Sequence, residues 1–253
     1  MLRLSRSMVQ SCYKRKERIS LNAQRLSERL TRVAAYVKPG AIVADIGSDH
    51  AYLPCYLIHN QIAEKAIAGE VAKGPFESAR NQIVEEQLED KITVRFANGL
   101  KAISKEDLVD TVTIAGMGGP LIATILQQDL DRLATVNRLI LQPNIHAKAI
   151  REWAITNDWK LVAEEILQED DKIYEILVLE RGKMTLSETE ALMGPLLIMD
   201  TQNEVFRLKW EKESSEWMRI LEAIRVSGSS PEVQLKRAEI EQKLKLVKEV
   251  FGA

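Results

Sequence analysis

Short apolar runs alternate with amphipathic segments through the first 180 residues of the chain. The runs predict buried parallel strands over 41–44, 65–69, 92–96, 110–114 and 138–141, with helices over 53–59, 74–88, 121–128 and 147–157. Two further strands, over 159–169 and 173–181, have no helix between them and therefore predict an antiparallel hairpin. Five βα repeats closed by a hairpin predict an α/β fold with a seven-stranded, mostly parallel sheet.

Helical periodicity dominates both ends of the chain. Over 22–37, apolar residues recur at three- and four-residue steps and predict an amphipathic helix. After Gly182 the strand patterns stop, and two charged helical segments with apolar stripes flank a turn at 227–231, which predicts an antiparallel coiled-coil hairpin. The predicted parts are a basic extension over 1–19, an α/β domain over 20–182 and a helical coiled-coil domain over 183–253.

Composition indicates a globular protein: 45% of the 253 residues are hydrophobic and 28% are charged. No window approaches the roughly 18 consecutive apolar residues that span a bilayer. Cys12 and Cys55 lack the spacing of a metal site and are interpreted as reduced thiols of a cytoplasmic protein. The net charge of -2 conceals ten basic residues against two acidic ones up to Lys38. Such an excess attracts a phosphate backbone, although a solvated basic tail over 1–19 has the same composition.

Residues 45–54 join the first predicted strand to the next helix and carry the most informative chemistry. Ligands of such folds bind at the carboxyl ends of the parallel strands. A dinucleotide-binding turn needs three glycines, whereas this turn has only Gly47 together with two carboxylates, Asp45 and Asp49. The turn therefore favours a ligand with amines and hydroxyls, such as S-adenosylmethionine. An ordinary strand-to-helix junction is the alternative.

Later strand ends supply complementary groups for such a ligand. Glu70, 25 residues after Asp45, is placed to accept both ribose hydroxyls, and Asn98 follows the third strand, where it suits an adenine edge. A glycine-rich segment over 115–119 follows the fourth strand, where Met117 either lines the methyl pocket or fills the core. The predicted cofactor-binding residues are Asp45, Gly47, Ser48, Asp49, His50, Glu70, Val71, Asn98, Gly99, Ala115, Gly116, Met117 and Gly118.

Three segments together resemble one family of RNA-modifying enzymes. They are Asp-Ile-Gly-Ser-Asp-His-Ala-Tyr-Leu-Pro over 45–54, Ala-Gly-Met-Gly-Gly over 115–119 and Gln-Pro-Asn over 142–144. In these segments the chain is similar to the TrmK family, and the resemblance runs from about Leu21 to the C-terminus. It implies a class I, Rossmann-like methyltransferase domain that uses S-adenosylmethionine to methylate N1 of adenine 22 in bacterial tRNA, with a coiled coil that helps to hold the tRNA. Residues 1–19 match no feature of the family.

The groups that hold the target base follow less directly from the sequence. Adenine N1 lies on the Watson–Crick edge, so the base must leave its stack, and catalysis is then mostly alignment of N1, methyl carbon and sulfur. The Asn/Asp-Pro-Pro-aromatic motif of amine-directed enzymes is replaced here by Ala-Gly-Met-Gly-Gly, which argues against methylation of N6. The candidate catalytic residues are Asn144, His50 and Tyr52. Asn144 is equally compatible with a plain turn, and His50 and Tyr52 either contact only the cofactor or reach the adenine as well.

Basic residues near both ends of the chain are the predicted tRNA contacts: Arg25, Arg29, Arg32, Lys236, Arg237 and Lys243. From Asp200 onward ten acids balance ten bases, so an ordinary solvated coiled-coil surface is the alternative for the hairpin. Two rival functions are a methyltransferase acting on a small molecule or protein, and a non-catalytic RNA-binding protein that keeps an adenosyl pocket. We expect a cytoplasmic monomer whose partner is tRNA, without a metal site or a membrane.

Overall fold

A computed structural model describes residues 25–227 and 230–252. Within these ranges one sheet contains β1 (Ala41–Ile46), β2 (Ala63–Glu70), β3 (Ile92–Phe96), β4 (Thr111–Gly118), β5 (Arg138–Ile145), β6 (Trp159–Glu169) and β7 (Lys172–Arg181). The strand order is β3-β2-β1-β4-β5-β7-β6. Strands β1 to β5 are mutually parallel, and β7 lies antiparallel between β5 and β6. The predicted seven-stranded, mostly parallel sheet is confirmed.

The helices cover both faces of this sheet. They are α1 (Glu28–Ala35), α2 (Tyr52–His59), α3 (Lys73–Glu85), α4 (Gly119–Gln128), α5 (Lys148–Thr156), α6 (Glu188–Met193), α7 (Glu204–Ser227) and α8 (Pro231–Phe251). Alternate residues of β5 face opposite layers: Leu139 and Leu141 pack with α4 and α5, whereas Ile140 packs with α1 and α2. This two-sided burial explains why the strands are continuous apolar runs. In the described part of the chain, no helix combines the length and apolarity needed to cross a membrane.

Several sequence predictions fall outside the described residues, namely the basic extension over 1–19, Cys12, the first residues of the helix predicted over 22–37 and residues 228–229 of the hairpin turn. The prediction of a helix from residue 22 is wrong for residues 25–27, which are not helical. The helix begins at Glu28 because Ser27 is its N-cap, and the Ser27 hydroxyl accepts a hydrogen bond of 3.2 Å from the Leu30 amide.

Strands β4 and β5 run further than predicted, to Gly118 and Ile145 instead of Ile114 and Leu141. Their pairing continues through two register shifts, between Ala115 and Met117 and between Met117 and Gly118. The glycine-rich segment is therefore the bulged end of a strand, and the bulges aim its groups towards the carboxyl edge of the sheet.

The C-terminal helices form an antiparallel pair. Phe206 near the start of α7 lies 5.8 Å from Phe251 at the end of α8, and Lys243 of α8 lies 5.8 Å from the Trp217 ring of α7. The short helix α6 was missed by the sequence patterns, although the reciprocal hydrogen bonds of Ser187 and Glu190 form the capping box that marks its start.

A buried ionic cluster joins this helical part to the sheet. Arg151 of α5 is fully buried and contacts Glu164 of β6 at 2.7 Å and Glu175 of β7 at 2.5 Å. Lys209 of α7 contacts Glu175 as well, and Arg151 also donates to the Ala191 carbonyl of α6. Burial lowers the pKa of Arg151 from its ordinary value. The cluster fixes α6 and α7 against the strands that border the candidate site.

Candidate active site

The turn after β1 is held by the buried carboxylate of Asp45. The hydroxyls of Ser48 and Thr113 each donate a 2.6 Å hydrogen bond to it, one to each carboxylate oxygen. Gly47 follows with φ +74°, and a Cβ at this position would lie 2.1 Å from the Cε of Met117. The turn therefore needs glycine both for its backbone and for its space. Asp45 shapes the turn through its two hydroxyl partners.

Burial raises the pKa of Asp45 to about 6, although its two hydroxyl partners act in the opposite direction. Because the pKa of Asp45 is higher in the folded state than its unfolded value near 3.9, the folded state binds this proton more tightly than the unfolded state. The resulting stabilisation is fully present below about pH 4 and is lost as the pH rises through about 6. Asp45→Asn removes the titration. We expect the difference in free energy of unfolding, parent minus variant, to fall by about 2 kcal/mol from about pH 4.5 to about pH 7.5. Urea unfolding at both pH values measures it, and a difference that stays constant or grows would contradict the assignment.

The next residues have unusual backbone conformations. Asp49 and Ala51 have φ values of 54° and 55°, and the Asp49 amide donates to a carboxylate oxygen of Glu70. Non-glycine residues in the left-handed region are uncommon, and this turn contains two of them within three residues. The rings of His50 and Tyr52 stack at 5.1 Å with an angle of 13° between their planes. They form an aromatic surface at the start of α2.

The ends of β2 and β3 combine a buried acceptor with exposed apolar groups. Glu70 is 6% exposed, whereas Val71 and Phe96 are 62% and 60% exposed. Glu70 and Phe96 are paired in register, so these groups lie at the same edge of the sheet. Gly99 has φ +56°. Phe96 was not predicted as a site residue, because its alternation within β3 resembled ordinary strand packing.

The bulged end of β4 meets the end of β5 through side-chain amides. Asn144 donates from Nδ2 to the Gly116 carbonyl at 2.7 Å, and the Gly116 amide donates to Gln142 Oε1 at 3.0 Å. Asn144 is exposed and borders a cavity of about 430 Å³ that Tyr174 and Lys209 also line. Gln142 was missed as a site residue, since its position inside the Gln-Pro-Asn segment gave no indication of its partners.

The predicted RNA-contacting arginines have three different environments. Arg25 is exposed, Arg32 pairs with Glu165, and Arg29 reaches into the site and donates to Gln142. On α8 every predicted contact has an acidic partner on the same helix: Lys236 and Lys243 pair with Glu239, and Arg237 pairs with Glu241. Among the described residues, no group of three His, Cys, Asp or Glu side chains could hold a metal ion.

Strand order and site chemistry define the class of protein. An antiparallel β7 between β5 and β6, an acidic residue ending β2 and a glycine-rich end of β4 are the features of a Rossmann-like class I methyltransferase. Residues 43–249 match the family described as TrmK: tRNA (adenine(22)-N(1))-methyltransferase. The chain belongs to this family, and the resemblance predicted from three short segments is confirmed.

Similar proteins cover nearly the whole chain. The tRNA (adenine(22)-N(1))-methyltransferase of Bacillus subtilis is 44% identical over 237 residues, which are 91% of this chain and 99% of that protein. The structure of an uncharacterized protein from Listeria monocytogenes matches with a TM-score of 0.85 and 46% identity over 90% of this chain and 100% of that one. A Streptococcus pneumoniae structure in complex with S-adenosyl-L-methionine matches with a TM-score of 0.81 and 44% identity, covering 89% of this chain and 99% of that one.

Proposed function

We propose that this chain transfers a methyl group from S-adenosylmethionine to N1 of adenine 22 in tRNA. The observation that carries the proposal is the meeting of three groups at one sheet edge in a member of this family. These groups are the Asp49–Glu70 turn, the glycine bulge at Gly116 and the exposed amide of Asn144. From β2 to β5 along the carboxyl edge of the sheet, they provide first an adenosyl site, then a methyl-transfer position and then a base contact.

The residues present fit the cofactor. Glu70 is a buried acceptor suited to ribose hydroxyls, and Val71 and Phe96 offer apolar surface to an adenine. At Gly47 the Met117 methyl group takes the space that a Cβ would fill, so Met117 lies against the turn that would hold the cofactor. Bound there, the cofactor supplies an electrophilic methyl group on a sulfonium. The aromatic pair of His50 and Tyr52 lies at the same turn.

Asn144 is the proposed contact for the flipped adenine. Its Nδ2 donates to the Gly116 carbonyl, and its Oδ1, which lies 3.4 Å from Gln142 Nε2, has a second lone pair that can accept from the exocyclic amine of the base. Adenine N1 has its own lone pair and needs no general base, so the chain contributes alignment rather than proton transfer. Positive charge moves onto the purine during the reaction, and a fixed carbonyl acceptor at the amine favours that charge.

We propose that tRNA lies across the start of α1 and the second arm of the hairpin. Arg25 is exposed next to α1, and Lys236, Arg237 and Lys243 form a basic row on α8. Their ion pairs are on the surface, and such pairs contribute only about 0–1 kcal/mol, so phosphates can replace the carboxylates. A tRNA substrate supports a cytoplasmic location, and the protein is proposed to act there as a monomer.

Glu70→Ala should weaken S-adenosylmethionine binding by about 1–3 kcal/mol, because charge-assisted hydrogen bonds to the ribose are lost. Isothermal titration calorimetry of the full chain measures the Kd. Glu64→Ala is the matched control, since Glu64 is an exposed glutamate near the opposite end of the same strand. Equal Kd values for the parent and both variants would place the ribose elsewhere.

The reaction itself is tested by incubating the protein with labelled cofactor and bulk tRNA, followed by nucleoside analysis. The proposal expects 1-methyladenosine. Bound cofactor with no transfer to tRNA would favour the non-catalytic rival, and N6-methyladenosine would show that the base is held in another orientation.

A further inference from the structure

We propose that Gln142 and Arg29 are positioning residues for methyl transfer, which hold Asn144 and the Gly116 bulge in the geometry that receives the target adenine. This inference rests on the proposed function, in which Asn144 contacts the base. It changes the role of Arg29 from a contact with the tRNA backbone to a support of the reaction centre.

Gln142 is the buried centre of this arrangement, with no exposed surface. Its Oε1 accepts from the Gly116 amide at 3.0 Å and from Arg29 Nη1 at 2.5 Å, and its Nε2 donates to the Pro143 carbonyl at 2.9 Å. A backbone amide and a guanidinium can only donate. Their convergence on Oε1 therefore leaves the Gln142 amide one orientation.

The orientation of Gln142 in turn restricts Asn144. Gln142 Nε2 lies 3.4 Å from Asn144 Oδ1, and Asn144 Nδ2 donates to the Gly116 carbonyl at 2.7 Å. The oxygen of the Asn144 amide thus faces Gln142 itself, and its nitrogen faces the carbonyl of Gly116, whose own amide donates to Gln142. A reversed Asn144 amide would present a donor to the exocyclic amine of adenine, which is itself a donor. The arrangement therefore selects the orientation that accepts from adenine.

Arg29 lies on α1 and links this helix to the hydrogen bonds around Gln142. Its guanidinium lies 5.3 Å from the Tyr174 ring, and it is half-buried, whereas Arg25 is exposed. No carboxylate of the described residues lies within ion-pair distance of Arg29, while Arg32, one turn later, pairs with Glu165. A charged donor on Oε1 polarises the Gln142 amide and strengthens its Nε2–H as a donor. The position of Arg29 therefore favours a role in holding Gln142 over a contact with a tRNA phosphate.

The test compares Gln142→Met and Arg29→Met with the parent in steady-state tRNA methylation. We expect kcat to fall roughly 10- to 100-fold, since small misplacements of reacting groups cost about that much. The KM for tRNA and the Kd for cofactor should stay within about threefold of the parent values, and Arg29→Lys should recover part of the lost kcat because it retains a charged donor. The double variant should be no slower than the slower single variant, because both residues act through one set of hydrogen bonds.

Gln127→Met is a control for losing a glutamine acceptor outside the site. The Gln127 side-chain oxygen also accepts two hydrogen bonds, from Trp153 at 3.1 Å and Asn157 at 3.2 Å, but it lies on α4 away from the site. We expect its kcat to match the parent value. An equal loss of kcat in Gln127→Met, or unchanged kcat in both Gln142→Met and Arg29→Met, would overturn the proposal.

Salt dependence separates positioning from phosphate binding. Arg25→Met should flatten the plot of log Kd for tRNA against log salt concentration by about 0.7–0.9, whereas Arg29→Met should leave that slope unchanged. A flatter slope in Arg29→Met with an unchanged kcat would overturn the proposal and make Arg29 a backbone contact.

Hydrogen exchange of the Gly116 amide tests the support without any reaction. We expect at least about tenfold faster exchange in Gln142→Met, which removes the acceptor, and a parent-like rate in Gln127→Met. If exchange is faster in Gln142→Met but the parent protein makes no 1-methyladenosine, the role of Gln142 in holding Gly116 stands and the proposed function is refuted. If exchange in Gln142→Met is unchanged and the parent protein is active, only the role of Gln142 in holding Gly116 is refuted.

Discussion

Asn144→Ala is expected to lower kcat for tRNA methylation by roughly 100- to 1,000-fold, the loss typical of removing one fixed group that stabilises transition-state charge. The Asn144 amide is oriented by Gly116 and is exposed towards the substrate side, so its removal takes away an acceptor without emptying the core. Single-turnover kinetics with saturating tRNA measure the step directly. The Kd for S-adenosylmethionine should stay within about threefold of the parent value, since the adenosyl groups lie on β1 to β3.

Asn157→Ala provides a matched control for that substitution. Asn157 follows α5, and its side chain bonds to the Trp153 carbonyl and to Gln127, remote from the glycine bulge. Its kcat should equal the parent value. If Asn144→Ala keeps kcat within about threefold of the parent, Asn144 is a turn residue and the base is held by other groups.

Arg151→Met is expected to lower the free energy of unfolding by about 3–5 kcal/mol, because it leaves the buried carboxylates of Glu164 and Glu175 without their main partner. The substitution roughly preserves side-chain volume, so lost charge rather than lost volume dominates. Urea unfolding at about pH 7.5 measures the change.

Arg219→Met is the control, since Arg219 forms an exposed ion pair with Glu216 on α7 and its side chain is 78% exposed. Exposed pairs contribute about 0–1 kcal/mol, so this variant should be nearly as stable as the parent. Equal destabilisation by both substitutions would show that the cluster around Arg151 does not anchor α6 and α7.

The sheet could be predicted because its order follows from local patterns. Parallel strands covered on both faces must be continuous apolar runs, and each predicted run overlaps an observed strand. Glu70 and Asp49 could be predicted as neighbours because strands of this kind end at one edge. The strand ends thus predict where the cofactor site lies, and the roles of its individual residues stay predictions.

The extended ends of β4 and β5 could not be predicted, because glycine and proline ordinarily end a strand. Here the bulges around Met117 keep the pairing with β5 through Pro143. Gln142 meets Arg29 across 113 residues of sequence, and no local pattern encodes such a contact. The burial of Arg151 could not be predicted for a related reason. Arginine is mostly a surface residue, and only its carboxylate partners on the hairpin strands make its burial possible.

The most direct test uses a tRNA transcript with adenine at position 22 and a matched transcript with cytosine there. Methylation of N1 blocks the Watson–Crick edge, so reverse transcription stops next to the modified base. After incubation with the protein and S-adenosylmethionine, we predict a stop at position 22 in the adenine transcript and none in the cytosine transcript. Transfer of methyl groups to both transcripts, or no stop at position 22 in either, would contradict the proposed reaction.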